Sequence, residues 1–296
     1  MRSLKRILVL TLAVALILLL AACGVQNADQ AGADQSSAAQ SSTEQSSAAA
    51  GSTAQDSAGE AQAEAEPVAL TVSAAASLKD AMEEIKTAYT KGKPNVTITY
   101  NFGSSGSLQQ QIEQGAEVDV FLSAATKQMD ALKDKGLIME DTMKNFLENK
   151  IVLVVPADST GVSGFKDLSA DKVKKIGLGE PKSVPVGQYA EEVLTKLNIL
   201  DSIKDKVVYG KDVKEVLTWV ETGNADAGIV YETDAKISGK VKIAERAPEG
   251  STSPVYYPAA VIKATKNADE AKAFVNYLYG SEAKPVFEKY GFVFIE

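Results

Sequence analysis

Histidine is missing from all 296 residues, and the chain has one cysteine and one tryptophan. Without histidine, neither a Ser-His-Asp triad nor a His-ligated zinc site can be built. There is no Gly-x-x-x-x-Gly-Lys-Ser/Thr phosphate loop, and no EF-hand loop. Gly177-Leu178-Gly179 lacks the third glycine of a dinucleotide fingerprint. Runs of Lys or Arg are missing from the body of the chain, and the net charge is −8. Binding nucleic acid requires clustered cations to neutralise phosphates, so nucleic acid is excluded as a partner. The acidic pairs Glu83-Glu84 and Glu191-Glu192 fall on predicted helices, where adjacent residues do not share a face, and read as solvated charge. No tandem repeat suggests a solenoid or propeller.

The one long apolar run stands at the start. Arg2, Lys5 and Arg6 precede Ile7–Leu20, which falls short of the roughly 20 apolar residues of a transmembrane helix. Residues 1–22 therefore read as a signal peptide. Leu20-Ala21-Ala22-Cys23-Gly24 resembles a lipobox, the site at which bacterial lipoproteins are cleaved and lipidated. Cys23 is then the lipid anchor, which leaves the mature chain without a free thiol or disulfide. Several acyl tails suffice for stable attachment to the cell membrane, with the protein outside the cytoplasm. The rest of segment 23–66 is almost entirely Ala, Ser, Gln, Gly, Thr and acidic residues, with no aromatic and no basic residue. It cannot bury enough apolar surface to offset its ordering entropy and reads as a disordered tether.

Residues 67–296 are long enough for two lobes. Strand-like runs at 68–73, 96–102, 118–122, 151–155, 175–178, 207–209, 227–230 and 256–262 alternate with helical patterns. In one of these, Leu78, Ala81, Met82, Ile85, Ala88 and Tyr89 share a face. Others cover 108–114, 129–135, 189–197, the positions around 213–220, and two helices within 268–290. The alternation predicts an α/β fold with mainly parallel sheets. Ligands of such sheets bind beyond the carboxyl ends of strands, where helix amino termini offer free N–H groups.

The strand-to-helix junctions are therefore the candidates. Ser73-Ala74-Ala75-Ala76-Ser77 ends a strand, with Ser77 a candidate N-cap. NFGSSGSLQQQIEQG, residues 101–115, gathers three serines and two glycines at a helix mouth; small residues there let the backbone approach a small ligand. Val184-Pro185-Val186-Gly187 leads into a helix, with Gly187 relieving crowding. Asp212 is a candidate N-cap ahead of the Val213 amide. Tyr231 ends an apolar strand with a phenol that can donate. Together they suggest a site of hydroxyls and amides between two lobes. Ser77 with Lys79 also allows a serine–lysine hydrolase, although residues two apart on a helix point in different directions.

Several of these stretches, in collinear order from about Leu70 to the end, resemble the periplasmic molybdate-binding proteins of ABC importers. They are Ala74–Leu78, Asn101–Leu108, Val118–Ala124, Val184–Ala190, Asp212-Val213, Gly228–Tyr231 and Tyr290-Gly291-Phe292. The resemblance implies a type 2 periplasmic-binding-protein fold, two α/β lobes joined by a two-strand hinge. Lobe 1 is expected over 67–150 plus 257–296, and lobe 2 over 151–256. It implies an oxyanion site formed by Ser77, Ser105, Val186, Val213 and Tyr231. Hydroxyls and amides contribute from the serines, amides alone from the valines, and the phenol from Tyr231. Molybdate would be held as an oxyanion, with no direct metal-ion ligand, no cofactor and no catalytic residue. In the family, alanine often stands at the position of Val186, and a third serine is common at the position of Gly106. The implied protein is a monomeric, lipid-anchored receptor for molybdate and tungstate that delivers its anion to an ABC permease. A receptor for sulfate or phosphate is the alternative.

Overall fold

The computed structural model describes residues 66–295. The predicted signal peptide, Cys23 and nearly all of the tether lie outside the described residues. In chain order the strands are β1 (Val68–Ala75), β2 (Val96–Gly103), β3 (Val120–Leu122), β4 (Lys144–Asn149), β5 (Ile151–Pro156) and β6 (Ile176–Gly179). They continue with β7 (Val207–Gly210), β8 (Ala227–Tyr231), β9 (Val241–Arg246), β10 (Val255–Val261) and β11 (Val293–Phe294). Helices α1 (Lys79–Gly92), α2 (Ser105–Glu113) and α3 (Thr126–Asp134) follow β1, β2 and β3. Helices α4 (Pro185–Lys196) and α5 (Leu200–Ile203) lie between β6 and β7, α6 (Val213–Glu221) follows β7, and α7 (Glu232–Ile237) follows β8. Helices α8 (Ala268–Leu278) and α9 (Lys284–Lys289) follow β10.

The strands form two sheets, in the orders β11-β4-β10-β3-β1-β2 and β7-β6-β8-β5-β9. The chain passes from the first to the second at Lys150, between β4 and β5, and returns through residues 247–254, between β9 and β10. The architecture is two α/β lobes, but the expectation of mainly parallel sheets is corrected. Four strand pairings are parallel and five antiparallel among the described residues. The antiparallel ones all involve β4, β5 or β10, strands that carry the chain between lobes. Of these sheet members, β4 (KNFLEN) and β9 (VKIAER) mix charge with apolar residues, so alternation did not reveal them.

Local patterning accounts for the packing. α1 buries Ala81, Met82, Ile85 and Tyr89; Ala88, predicted on the same face, is exposed near the helix end. Burying side chains the size of Met82 and Ile85 contributes about 1.5–3 kcal/mol each. Asp119, just before β3, is buried and accepts from the Thr71 amide at 2.7 Å and from the Thr265 hydroxyl. The acidic pairs are not simply solvated. Glu84 accepts from Lys289 at 2.6 Å and from the Tyr290 hydroxyl at 2.9 Å. Glu192 accepts from the Ser253 amide at 2.6 Å and the Thr252 hydroxyl at 3.0 Å, pinning the second crossing segment. Their partners lie far along the chain, out of reach of local pattern.

Candidate functional site

Strand register brings the junctions together. β1 and β2 run parallel with Ala75 opposite Gly103, so Ala76-Ser77 and Ser104-Ser105 emerge side by side. In the second sheet Gly179 of β6 lies opposite Gly210 of β7, which places Val184–Val186 and Asp212-Val213 at one edge. These segments, with Ala124 and Tyr231, line a small cavity between the lobes. All five predicted residues, Ser77, Ser105, Val186, Val213 and Tyr231, line it and are buried. The wall contains no lysine or arginine. A larger groove, lined by Glu113, Glu117, Lys263 and Lys266 among others, lies at the opposite, amino-terminal ends of β1 and β3. It shares no residue with these junctions.

Ser105 opens α2, Val186 is the second residue of α4, and Val213 opens α6. The first four N–H groups of a helix lack an intrahelical acceptor, and each amino terminus carries about half a positive charge. Three such termini face one small space, which favours an anion.

The capping groups are separate from these donors. Ser104 accepts from the Ser107 amide at 3.3 Å, and Asp212 accepts from the Glu215 amide at 2.9 Å, as its sequence position predicted. Ser77 is not an N-cap. Its hydroxyl lies 3.0 Å from the Tyr257 hydroxyl, which also accepts from the Asn149 amide group at 3.2 Å. Ser105 accepts the Ala124 N–H at 2.9 Å, and a hydroxyl that accepts still has its own proton to donate. The Tyr231 hydroxyl is 3.5 Å from the Ala124 carbonyl, at the outer limit of a hydrogen bond. Burial pushes the phenols of Tyr231 and Tyr257 well above their ordinary range, so both stay protonated.

Close backbone approach depends on two glycines. A Cβ on Gly187 would meet the Gly179 carbonyl oxygen at 2.1 Å, so only glycine lets α4 pack on β6. A Cβ on Gly106 would meet the Ser183 carbonyl oxygen at 2.5 Å. Instead, the Gly106 N–H donates to that oxygen at 2.9 Å, a backbone bond from lobe to lobe. The missing third hydroxyl at this position is thus replaced by direct contact between the lobes.

Tyr257 and Asn149 escaped sequence reasoning as parts of the site, because Asn149 reaches Ser77 only through Tyr257, and Tyr257 meets Ser77 only through the sheet. One signal was available: Tyr257 rests edge-on against Phe292, with ring centroids 5.4 Å apart, so the closing Tyr290-Gly291-Phe292 motif buttresses it. Lys79 is exposed and points to no partnership with Ser77.

A cleft between two α/β lobes, walled by hydroxyls and helix termini, defines a ligand-binding protein of the type 2 periplasmic-binding-protein fold. The family described as "Bacterial extracellular solute-binding protein" matches residues 70–293, and the chain belongs to it. A Bacillus subtilis (strain 168) protein named "Putative ABC transporter substrate-binding lipoprotein YvgL" is 51% identical over 226 residues, covering 76% of this chain and 86% of that one. The "Molybdate-binding protein ModA" of Haemophilus influenzae (strain ATCC 51907 / DSM 11121 / KW20 / Rd) is 41% identical over 227 residues, covering 75% and 89%. Among solved structures, the "substrate binding domain of putative molybdenum ABC transporter from Clostridium difficile" is 53% identical with a TM-score of 0.61, covering 77% of this chain and all of that one. Family members bind solutes outside the cytoplasm and are not enzymes, which sets the serine–lysine hydrolase aside.

Proposed function

We propose that the protein captures molybdate, and tungstate with it, and delivers the anion to the permease of an ABC importer. The observation that carries this reading is the convergence of three helix amino termini and two serine hydroxyls on a small cavity with no cation in its wall. Molybdate is fully deprotonated near neutral pH and asks only for donors. Helix termini supply positive potential without a flexible charged side chain. The proposed contacts are the hydroxyls and amides of Ser77 and Ser105, the amides of Val186 and Val213, and the phenol of Tyr231. Relatives that carry the name of molybdate-binding proteins support the same ligand.

Discrimination follows from the same donors. Monohydrogen phosphate brings a proton that needs an acceptor. The one lining carboxylate, Asp212, is committed to the α6 backbone, where its Oδ1 accepts the Glu215 amide, and in this reading it caps the helix and is not aimed at the anion. An unsatisfied phosphate proton is then a cost that molybdate does not carry. Sulfate has no such proton but is smaller, so its rejection rests on cavity size. The lobes are proposed to open and close about Lys150 and the 247–254 segment, as hinged binding proteins do. The reading includes a signal peptide over 1–22, lipidation of Cys23, a tether to residue 66 and a monomeric receptor at the membrane surface. The test is calorimetric titration of the full chain, freed of oxyanions, with molybdate, tungstate, sulfate and phosphate. Tight one-to-one binding of the two larger anions with little heat from the smaller pair is expected. Binding of sulfate or phosphate alone would refute the ligand assignment.

A further inference from the structure

Lys214 occupies an unusual place. It is the second residue of α6, next to Val213, at the helix end whose dipole repels a cation. Its ammonium lies 3.0 Å from Asp234 Oδ1 and 2.8 Å from Asp80 Oδ2. Asp234, the third residue of α7, belongs to the same lobe as Lys214 and is buried. Asp80, near the start of α1, belongs to the other lobe and is partly exposed. Burial alone would lower the Lys214 pKa, but Asp234 and Asp80 outweigh it and raise it, so the ammonium stays charged.

Each member of this triad sits close in sequence to a proposed anion contact. Asp80 follows Ser77 by three residues, Lys214 follows Val213 directly, and Asp234 follows Tyr231 by three. One ammonium therefore joins three donor segments drawn from both lobes. The two arms differ in kind. The Lys214–Asp234 arm is internal to one lobe and compensates a buried carboxylate, so a rigid-body hinge motion between the lobes does not break it. The Lys214–Asp80 arm spans the cleft, and hinge opening about the crossing segments separates its partners.

We infer that Lys214 is a positioning residue for anion capture: held on Asp234, it latches onto Asp80 when the lobes close and so slows release of the bound anion. The inference rests on the anion-receptor reading above. It predicts that Asp80 acts on release and not on first encounter, because the latch forms only after the lobes come together.

Asp80→Asn is the cleanest variant, since Lys214 substitution would strand the buried Asp234 carboxylate and threaten folding. The full chain would be loaded with molybdate and chased with excess tungstate, and the molybdate retained would be read by elemental analysis after rapid gel filtration. A partly exposed pair supports an increase in release rate of up to about fivefold in Asp80→Asn at low salt. The loading rate should stay within about twofold. Asp80→Glu should restore slow release. In 1 M salt, where the screening length falls to about 3 Å, the variant and wild type should converge. A packing role for Asp80 would show neither the salt dependence nor the rescue by glutamate. If wild type retains molybdate and Asp80→Asn releases it equally slowly at low salt, the latch is wrong and the receptor reading stands. If wild type retains no molybdate, the receptor reading falls and the latch falls with it.

Discussion

The two walls of the cavity are built from different materials. The first lobe presents hydroxyls, from Ser77 braced by Tyr257 and from Ser105 braced by the Ala124 amide. The second lobe presents Val186 and Val213 at the starts of α4 and α6, with the single phenol of Tyr231 beside them. The difference is one of dependence. A hydroxyl wall needs particular side chains, whereas an amide wall needs helices placed correctly and is indifferent to what those residues carry.

Ser105→Ala tests the contrast most severely. It removes a proposed donor and leaves the buried Ala124 N–H unpaired, a loss of about 1–3 kcal/mol. Molybdate affinity measured by calorimetry is expected to fall roughly 10- to 100-fold. An unchanged Kd would show that the hydroxyl wall does not hold the anion.

The segment behind Tyr231 offers a second test, on stability. Asp234 and Glu232 stand two residues apart on α7 with opposite fates. Burial pushes Asp234 up to about 6, against the pull of Lys214. Glu232 is held down at about 2 by hydrogen bonds from Arg246, at 3.0 Å to each oxygen, with Lys236 adding to the effect. Because the folded state lowers the Glu232 pKa from its ordinary 4.5, its contribution is present above about pH 4.5 and drains away as pH falls toward about 2. The thermal midpoint should decline across that window, and Glu232→Gln should flatten the decline. A Glu232→Gln profile as steep as that of wild type would move the acid sensitivity to other groups.

Val186→Ala should have the smallest effect on binding. The side chain is buried, so some stability is lost, but the amide stays, and Kd should shift by no more than about threefold. A much larger loss of affinity would mean that the second wall also depends on side-chain shape.

Most strands and helices were legible because their hydrophobic period is local. The site junctions were legible too, since Ser77, Ser105, Val186, Val213 and Tyr231 each stand where a strand ends or a helix begins. Two assignments failed for a shared reason. Ser77 looked like an N-cap, and Glu84 and Glu192 looked solvated, because the groups that claim them arrive from Tyr257, Lys289 and Ser253. The mixed sheets were hidden in β4 and β9, whose charged residues obscure the alternation of a strand.

The periodicity of residues 67–296, the small residues at each strand end and the lack of histidine were enough to define an α/β chain with a donor-rich site. These properties act over a few residues, so the sequence carries them directly. Which donors meet, which hydroxyls are already engaged, and that Gly106 touches Ser183 and Lys214 touches Asp80, were decided by the fold alone. The physical reason is distance along the chain: those contacts join segments from about 20 to 180 residues apart, and only strand register and the two crossings between the lobes bring them together.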